Sequence, residues 1–314
     1  MSVLPRSVLV VGGANLDLLA RSHAALRLHT SNPGVSSGTP GGVGRNIAEN
    51  LARLGTTTRL VLAVGDDPAG AELLERTQAA GVETFEVPWT GATGTYTAIL
   101  DADGSLLAGI ADMAATASIT PEDVESKWIA DADWLVLDGN LSPATLAHAL
   151  SCADDSGVPV ALDPVSAPKS RLIAPLLTDA RVHTLTPTLD ELVALTGDPD
   201  PVAGADRLHR CGVEVVWVRE GERGSTLFRR DAEPVRVALP KVAAVDVTGA
   251  GDAMLAAYVH ALLGGADLTR AAFVGAAAAM LTVQSPWTVR PDLSDELVRL
   301  TLAAQPASTT GGPE

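Results

Sequence analysis

The segment 244–265 holds the residues best suited to bind a phosphate group. A β-like stretch runs into Gly249-Ala250-Gly251, and a predicted amphipathic helix of thirteen residues follows and ends at Gly264. Small residues let a phosphate approach the backbone, while the start of a helix offers unpaired N–H groups and the positive end of its dipole. Asp252 lies in the first turn of that helix. Its carboxylate either takes part in chemistry at the phosphate or merely complements the dipole, and the motif alone leaves both roles open.

Two other nucleotide-binding motifs do not fit the sequence. Gly249 and Gly251 supply only part of the glycine pattern of a dinucleotide fold, and they lie far from the first strand, where that pattern belongs. A Walker A loop needs a lysine after a glycine, whereas none of the three lysines follows one (Lys127, Lys169 and Lys241). The sequence therefore favours a phosphate site built from backbone groups.

A second group of polar residues follows the first predicted strand and begins the first strong helix. Asn15 and Asp17 come at the carboxyl end of that strand, where open α/β sheets bind ligands. Asn46 and Asn50 share one face of the helix, although alanine or leucine would be better helix formers. Taken singly, each residue is more often a turn or cap residue. Together they favour a site that reads the hydroxyl groups of a polyol.

Six short apolar runs have the length and continuity of buried parallel strands, which need cover on both faces. Helical patterns lie between these runs. The alternation predicts an α/β fold with a doubly wound, mostly parallel sheet. The runs are Val8–Val11, Leu60–Val64, Trp134–Leu137, Val158–Leu162, Val182–Leu185 and Val213–Val218.

The helix predicted over 43–54 has one apolar face and ends at Gly55, a residue type that commonly follows a helix. Glu49 lies one turn from both Arg45 and Arg53, so these three residues are predicted to form ion pairs on a solvated face. The apolar face consists of Val43, Ile47, Leu51 and Leu54.

Two segments interrupt the alternation of strands and helices. Segment 18–40 is rich in turn-forming residues, and segment 91–112 contains a predicted hairpin of Tyr96–Leu100 and Leu106–Ile110. Both are predicted to form a small β-sheet lid, inserted in one domain that comprises residues 1–304. The final residues, 305–314, have the composition of a disordered tail.

Composition limits the classes of function. The net charge of −16 argues against a nucleic-acid binder, because such proteins need a surface that neutralises phosphates. The two cysteines, Cys152 and Cys211, form neither a disulfide framework nor a zinc motif. The first residues indicate a strand and turn rather than a signal peptide, and the apolar stretch Ala271–Val283 is too short to span a bilayer. We therefore expect a cytoplasmic enzyme that acts on a small molecule and has no nucleic-acid or membrane partner.

Two of these stretches resemble the signatures of a known family. GGVGRNIAENLARLG (41–55) is similar to the first signature of the PfkB carbohydrate and nucleoside kinases, and DVTGAGDAM (246–254) is similar to the second. The two signatures occur in the family's order, about two hundred residues apart, and the resemblance covers almost the whole chain. It implies a ribokinase-like fold, ATP and Mg²⁺ as cofactors, and a catalytic role for Asp252.

The resemblance assigns a role to each matching position. Asp252 would accept the proton of the attacking hydroxyl group, in an anion hole formed by Gly249, Ala250 and Gly251. Glu191 would help to place Mg²⁺ through water. Thr188 stands where the family usually has asparagine in the same motif, which leaves metal handling open, although its hydroxyl can still donate to phosphate or water. The sugar would be bound by Asn15, Asp17, Gly42 and Asn46. The nucleotide would be bound by Thr188, Gly221, Gly224 and Thr248. A monovalent cation such as K⁺ would be bound by Asp246 with Thr248.

A narrower resemblance is to the bacterial pseudouridine kinases of that family. It rests on SNPG (31–34), Asp112-Met113, DGNLS (138–142) and DPVSAPK (163–169), and on Val43, where ribose kinases of the family usually carry lysine. It implies phosphorylation of a nucleoside 5′-hydroxyl, with pseudouridine as the substrate and Ser31, Asn32, Asp112 and Asn140 as candidates for reading its base.

Three alternatives stay open at this point: a kinase for another nucleoside, a kinase for a sugar such as ribose or fructose, and a weakly catalytic protein that senses a nucleoside. The last is suggested by Thr188. Members of the family commonly pair two subunits through the lid, which implies a homodimer.

Overall fold

The structure is a computed structural model that describes residues 6–178 and 181–304. Its strands are β1 (Ser7–Val11), β2 (Asn15–Ser22), β3 (Gly34–Gly41), β4 (Thr57–Ala63), β5 (Val82–Val87), β6 (Thr95–Leu100), β7 (Leu106–Asp112), β8 (Trp134–Asp138), β9 (Val160–Asp163), β10 (Thr184–Leu185), β11 (Val215–Arg219), β12 (Ser225–Arg229) and β13 (Val235–Val237). Its helices are α1 (Val43–Arg53), α2 (Pro68–Ala79), α3 (Ala114–Ala117), α4 (Ser126–Ala130), α5 (Pro143–Ser156), α6 (Ala167–Ile173), α7 (Leu189–Thr196), α8 (Pro201–Arg210), α9 (Ala250–Leu263), α10 (Leu268–Val283) and α11 (Asp295–Ala303). The predicted tail at 305–314 lies outside the described residues.

Nine of the described strands form one large sheet in the order β13-β12-β11-β10-β9-β8-β1-β4-β5. Neighbouring strands from β5 to β11 are parallel, whereas β12 and β13 run antiparallel to their neighbours. After β1 the chain builds outward through β4 and β5, and then returns to the other side of β1 at β8. The direction of winding reverses between β1 and β8, and such sheets bind ligands at the carboxyl ends of the strands at this point. The predicted doubly wound, mostly parallel sheet is confirmed.

The side chains of β1 show why this sheet is covered on both faces. Val8 and Val10 point to one face, Leu9 and Val11 point to the other, and all four are fully buried. The first face packs against α1, α2, α9 and α10, and the second packs against α5, α6, α7 and α8. Among residues 6–178 and 181–304, no helix is long and apolar enough to cross a membrane.

A second, four-stranded sheet has the order β3-β2-β6-β7. The predicted hairpin is confirmed as the antiparallel pair β6–β7, and β2 pairs antiparallel with β3 and parallel with β6. This small sheet begins at Asn15, a few residues earlier than predicted, so it starts directly at the carboxyl end of β1. Strand β7 is exposed along its whole length. The large exposed side chains of the sheet are Leu19, Val35, Leu106, Leu107 and Ile110.

Two predictions about helix faces are wrong. Arg45 and Glu49 are each only 4% exposed, because α2 and β3 pack over the face that was predicted to be solvated. The Arg45 guanidinium contacts Thr77 Oγ1 in α2 and donates to the carbonyl oxygen of Pro40 in β3. Helix α9 is not amphipathic either, since α1, α10 and the sheet surround it and every residue from 252 to 259 is buried. Both errors arise because burial on a second side depends on tertiary packing rather than on helical period.

Candidate active site

A cavity of about 750 Å³ opens at the carboxyl ends of the central strands, beneath the small sheet. Asn15 follows β1, Asn140 follows β8, Asp163 ends β9 and Arg219 ends β11, and all four line the cavity. The cavity therefore occupies the place where a doubly wound sheet reverses its direction of winding. The amino-terminal ends of α1 and α9 also reach it.

Gly249 begins the loop that leads into α9 at the centre of the cavity. Its φ of 78° lies in the left-handed region, and a Cβ atom at this position would collide with the carbonyl oxygen of Thr288. Only glycine meets both conditions without strain. The loop Gly249-Ala250-Gly251, hereafter the anion loop, consequently presents backbone at the start of a fourteen-residue helix, where the helix dipole favours negative charge.

Asp252 lies one residue beyond the anion loop and is 8% exposed. Its Oδ2 accepts a hydrogen bond of 2.8 Å from Nδ2 of Asn46, a residue 206 positions earlier in the chain. Oδ1 of Asn46 in turn accepts from the Arg45 guanidinium at 3.1 Å, so the amide is held in one orientation. The buried Arg45 thus positions the side chain that contacts Asp252.

The surroundings of Asp252 change its acidity. Burial, reinforced by the charge of Asp163, raises the pKa of Asp252 to about 7, and Asp138 adds to that rise. The Asn46 hydrogen bond and the Arg219 guanidinium lower the pKa, but they do not cancel the desolvation. A carboxylate with a pKa near neutrality is suited to accept and return a proton.

The end of the cavity beneath the small sheet is polar. Asn15 Nδ2 donates to Asp17 Oδ1 at 2.7 Å, and burial raises the pKa of Asp17 against the opposing effects of Asn15 and Arg45. Gly42 has a φ of 96° and no room for a Cβ atom, because the backbone of the β1–β2 loop presses against it. A carboxylate and amides that converge in this way can bind several hydroxyl groups. The polar residues of this end are Asn15, Asp17, Asn46, Tyr96 and Asn140.

Asp138 is a fully buried carboxylate that sequence reasoning treated only as part of a motif. Its Oδ2 accepts from the backbone N–H groups of Gly13 and Gly44, each at 2.7 Å, and its Oδ1 accepts from that of Asn140 at 2.7 Å. Burial raises the pKa of Asp138 despite these bonds. The side chain joins the loops that follow β1 and β8 to the start of α1. A carboxylate at the end of a buried strand was the signal that could have revealed it.

Asn140 is also held from the other side. Lys169 Nζ donates to Asn140 Oδ1, and burial lowers the pKa of Lys169 while the charge of Asp138 raises it. This lysine was not predicted as a site residue.

Arg219 and Asp163 form an ion pair that sequence reasoning missed. Arg219 Nη1 lies 2.9 Å from Asp163 Oδ2, and its Nη2 lies 3.3 Å from Oε2 of Glu191. Burial alone would lower the pKa of Arg219, but the two carboxylates raise it. The sequence signal that could have revealed this pair is a charged residue at the end of each of two buried strands. Charged residues are rarely buried unless they are paired.

Thr188 and Glu191 form a capping box at the start of α7. The Thr188 hydroxyl accepts from the Glu191 N–H at 3.3 Å, and Glu191 Oε2 accepts from the Thr188 N–H at 2.8 Å. The threonine that replaces the family's usual asparagine therefore has a structural task. Both residues line the cavity, so the carboxylate also faces the space beside the anion loop.

The other end of the cavity is mostly apolar. Gly221 and Gly224 border it, and Gly224 has a φ of 90° with no room for a Cβ atom against the carbonyl oxygen of Val237. This apolar end, hereafter the apolar slot, lies next to backbone groups and is suited to a heterocycle. The apolar lining consists of Val237, Leu239, Pro240, Val242, Val247, Ala276, Ala279, Met280 and Val283.

The predicted residues Ser31, Asn32, Asp112 and Asp246 do not line this cavity. Asn32 holds its own turn, because its side chain bonds both the N–H and the carbonyl oxygen of Arg27 at 2.8 Å. Asp112 accepts from the Ala114 N–H at 3.1 Å, and its neighbour Met113 lines the cavity instead. Asp246 accepts from the N–H of Thr248, which does line it. The roles of these four residues stay predictions.

Two carboxylates fit a hydrated divalent cation. Asp163 and Glu191 converge on one guanidinium beside the anion loop, and Mg²⁺ commonly uses one or two carboxylates together with phosphate oxygens and water. Within the described part of the chain, no group of three or more histidine, cysteine and carboxylate side chains is arranged to hold a metal alone. A metal at this place would therefore need ligands from the substrate.

Comparison with known proteins gives one consistent answer. The profile of the pfkB family of carbohydrate kinases matches residues 5–294. Pseudouridine kinase of Escherichia coli (strain K12) is 35% identical over 297 residues, which cover 91% of this chain and 93% of that protein. A carbohydrate kinase from Agrobacterium tumefaciens has a structure that superposes with a TM-score of 0.83 at 33% identity, covering 96% of this chain and 98% of that one. Arabidopsis thaliana ribokinase complexed with ribose and ATP gives a TM-score of 0.82 at 26% identity, covering 96% and 99%.

Proposed function

The chain belongs to the pfkB family of carbohydrate kinases, and from that premise we propose that it phosphorylates the 5′-hydroxyl group of a nucleoside, with pseudouridine as the preferred substrate. The observation that carries the proposal is the hydrogen bond between Asn46 and Asp252. This bond joins Asp252, the predicted general base beside the anion loop, to Asn46 at the polar end of the cavity. A hydroxyl group bound at the polar end therefore reaches both Asp252 and the anion loop.

Each part of the cavity has a task in this reaction. The polar end binds the ribose, and Asp252 accepts the proton of the 5′-hydroxyl group as that oxygen attacks the γ-phosphoryl group of ATP. The bond from the γ-phosphorus to the bridging oxygen breaks, and ADP leaves. The anion loop donates backbone N–H groups to the phosphoryl oxygens. Phosphoryl transfer passes through a loose transition state, so positioning and charge neutralisation contribute more than proton removal. The small sheet, closing over the ribose, excludes water that would otherwise accept the phosphoryl group.

ATP and Mg²⁺ complete the proposed site. The apolar slot between Val237 and Val283 accommodates the adenine ring, and Gly221 and Gly224 let the backbone approach the nucleotide. Asp163 and Glu191 stay paired with Arg219 and would hold Mg²⁺ through water, and the metal would neutralise phosphate charge. A role for K⁺ near Asp246 is part of the proposal and rests on the family resemblance alone.

The preference for pseudouridine rests on the residues around the base. Val43 presents an apolar surface to the cavity in place of a lysine, and Asn140 is the one member of the predicted base-reading set that lines it. Pseudouridine differs from uridine by an additional ring N–H, and a pocket that discriminates between them needs an acceptor for that group. We assign this task to Asn140 Oδ1, which accepts from Lys169 Nζ through one lone pair and keeps the other for the ring N–H. The similarity to the E. coli pseudouridine kinase supports the same substrate.

The test is an ATP-coupled assay that compares pseudouridine, uridine, adenosine, ribose and fructose side by side. We expect kcat/KM for pseudouridine to exceed that for uridine by about tenfold or more, which corresponds to about 1.4 kcal/mol. The other three should be poorer. If uridine or a free sugar is the best substrate, the assignment to pseudouridine is wrong and the kinase assignment stands.

A sugar kinase is the second candidate, because Asn15 and Asp17 would bind the hydroxyl groups of free ribose equally well.

A nucleoside sensor is the third candidate, because the Thr188 hydroxyl is occupied in capping α7. Nucleoside binding by calorimetry with no turnover in the presence of ATP and Mg²⁺ would favour the sensor over both kinases.

A further inference from the structure

Arg219 reaches the anion loop from the end of β11. Its Nη1 lies so close to Gly251 that a Cβ atom on that glycine would collide with it. The Arg219 side chain is only 15% exposed, and it lines the cavity together with Asp252. The guanidinium therefore lies beside the place where the anion loop would hold a phosphoryl group.

The guanidinium keeps donors that no group in the described part of the chain uses. Nε of Arg219 is buried and lacks a hydrogen-bond partner among residues 6–178 and 181–304. Of its bonds to carboxylates, the one to Asp163 Oδ2 is 2.9 Å, whereas those to Asp163 Oδ1 and Glu191 Oε2 are 3.5 and 3.3 Å and therefore weak. Buried donors are nearly always paired in folded proteins, so an unpaired one in a side chain that lines a cavity indicates a missing ligand.

An anionic ligand in this cavity would have to pair with the Arg219 guanidinium, because the other charges of the lining are carboxylates or an exposed lysine. Five carboxylates line the cavity, against two cations, Arg219 and Lys241. Lys241 pairs at 3.4 Å with Glu222 at the exposed rim, where water screens both charges. Arg219 is thus the buried cation among the described lining residues. The carboxylates are Asp17, Asp163, Glu191, Glu222 and Asp252.

We propose that Arg219 is a catalytic residue that binds the transferred phosphoryl group directly. Nε–H and the free N–H of Nη1 donate to its non-bridging oxygens, opposite the N–H groups of the anion loop, while Asp163 and Glu191 hold the guanidinium in position. Charge-assisted bonds from a planar guanidinium suit a phosphoryl group better than bonds from an ammonium group. The inference rests on the proposed kinase function and deepens it. The competing role is structural, in which Arg219 only ties β9, α7 and β11 together.

The test uses Arg219→Gln, Arg219→Lys and Arg219→Ala in the full chain, with Arg223→Gln as the matched control. Arg223 is four residues further along, is 63% exposed in its side chain and does not line the cavity. We expect Arg219→Gln to lower kcat by about 10²–10³-fold, as is typical when one donor to a developing anion is lost. Arg219→Lys should lose at least about tenfold, and Arg223→Gln should match the wild type. Addition of guanidinium chloride at millimolar concentration should restore part of the activity of Arg219→Ala.

A pH profile tests whether the charge of Arg219 acts on Asp252, as the geometry requires. The charged groups that act on Asp252 are Asp138, Asp163 and Arg219. Since Arg219 is the cation of the three, its removal should move the acid limb of kcat/KM to higher pH in Arg219→Gln but leave it in place in Arg219→Lys. If wild-type protein turns over but Arg219→Gln stays within about threefold of it with the same profile, the inference is overturned while the kinase assignment stands. If Arg219→Gln fails to fold, Arg219→Lys decides: full activity overturns the inference, and a tenfold loss with an intact thermal transition supports it. Inert wild-type protein would instead refute the proposed function.

Discussion

At Asp252 the requirements of the proposed catalytic role and of folding oppose each other. A buried carboxylate with a pKa of about 7 is available as a base, but it is costly to ionise in the folded protein. Below about pH 4 the group is protonated in both the folded and the unfolded chain. Between about pH 4 and pH 7 the unfolded chain is ionised while the folded state keeps its proton, so the free energy of unfolding falls progressively by up to about 4 kcal/mol, and it levels off above about pH 7.

Asp252→Asn should therefore be slower and more stable. We expect kcat to fall by about 10²–10⁴-fold, because the general base is lost. The free energy of unfolding in urea should exceed that of the wild type at pH 8 by a few kcal/mol and approach it at low pH. Wild-type turnover in the variant would refute the base role, and an equal stability difference at pH 5 and pH 8 would refute the raised pKa.

Thr188 stands where the family usually has asparagine, and substitutions at this residue test what the difference does. Asparagine is as good a helix cap as threonine, so Thr188→Asn should leave the stability of α7 unchanged, whereas Thr188→Ala should cost about 1 kcal/mol. If threonine performs the asparagine's task less well, Thr188→Asn should preserve or lower the Mg²⁺ concentration that gives half-maximal rate. An increased requirement would mean that the site is organised around the hydroxyl group. Rates independent of Mg²⁺ in both proteins would place Thr188 and Glu191 outside the metal site.

Among the elements, the anion loop and the start of α9 act as a unit. In Gly251→Val the branched side chain occupies the position of Arg219 Nη1, so the guanidinium has to move and the loop loses its close approach to phosphate. We expect both ATP affinity and kcat to fall while the protein stays folded, as judged by circular dichroism. Gly264→Ala at the opposite end of α9 serves as the control and should retain wild-type kinetics. Unchanged kinetics in Gly251→Val would remove the anion-hole assignment.

The elements also show how far the sequence determines the fold and the site. The buried strands and the β6–β7 hairpin were predictable, since periodicity and turn residues are local properties. The burial of Arg45 and Glu49 was not, because it depends on α2 and β3, which are distant in sequence. Arg219 was missed for the same reason: Asp163 lies 56 residues away and Glu191 lies 28 residues away. Candidate site residues that belong to a local motif can be predicted from the sequence, whereas those held in place by distant partners cannot.

At the scale of the whole molecule, the small sheet has an exposed apolar edge. Strand β7 is an exposed edge, and Leu106 and Ile110 are 57% and 65% exposed. Apolar edge strands of this kind commonly pair with another chain. We expect wild-type protein to sediment as a dimer and Ile110→Glu to shift it towards the monomer by unfavourable burial of charge. Val202→Glu, on the exposed face of α8, should leave the mass unchanged. A monomeric wild type would exclude the homodimer.

Asp138 also bears on how such an enzyme can change its substrate. By fixing Gly13, Gly44 and Asn140 through one carboxylate, it assembles the floor of the site before any ligand arrives. Ordering three backbone segments on binding would otherwise cost about 1–2 kcal/mol per residue. The contacts that fix this floor do not involve β6 or β7 of the small sheet. Mutations in that sheet can then explore new acceptors while the chemistry is preserved, which is a structural basis for evolvability.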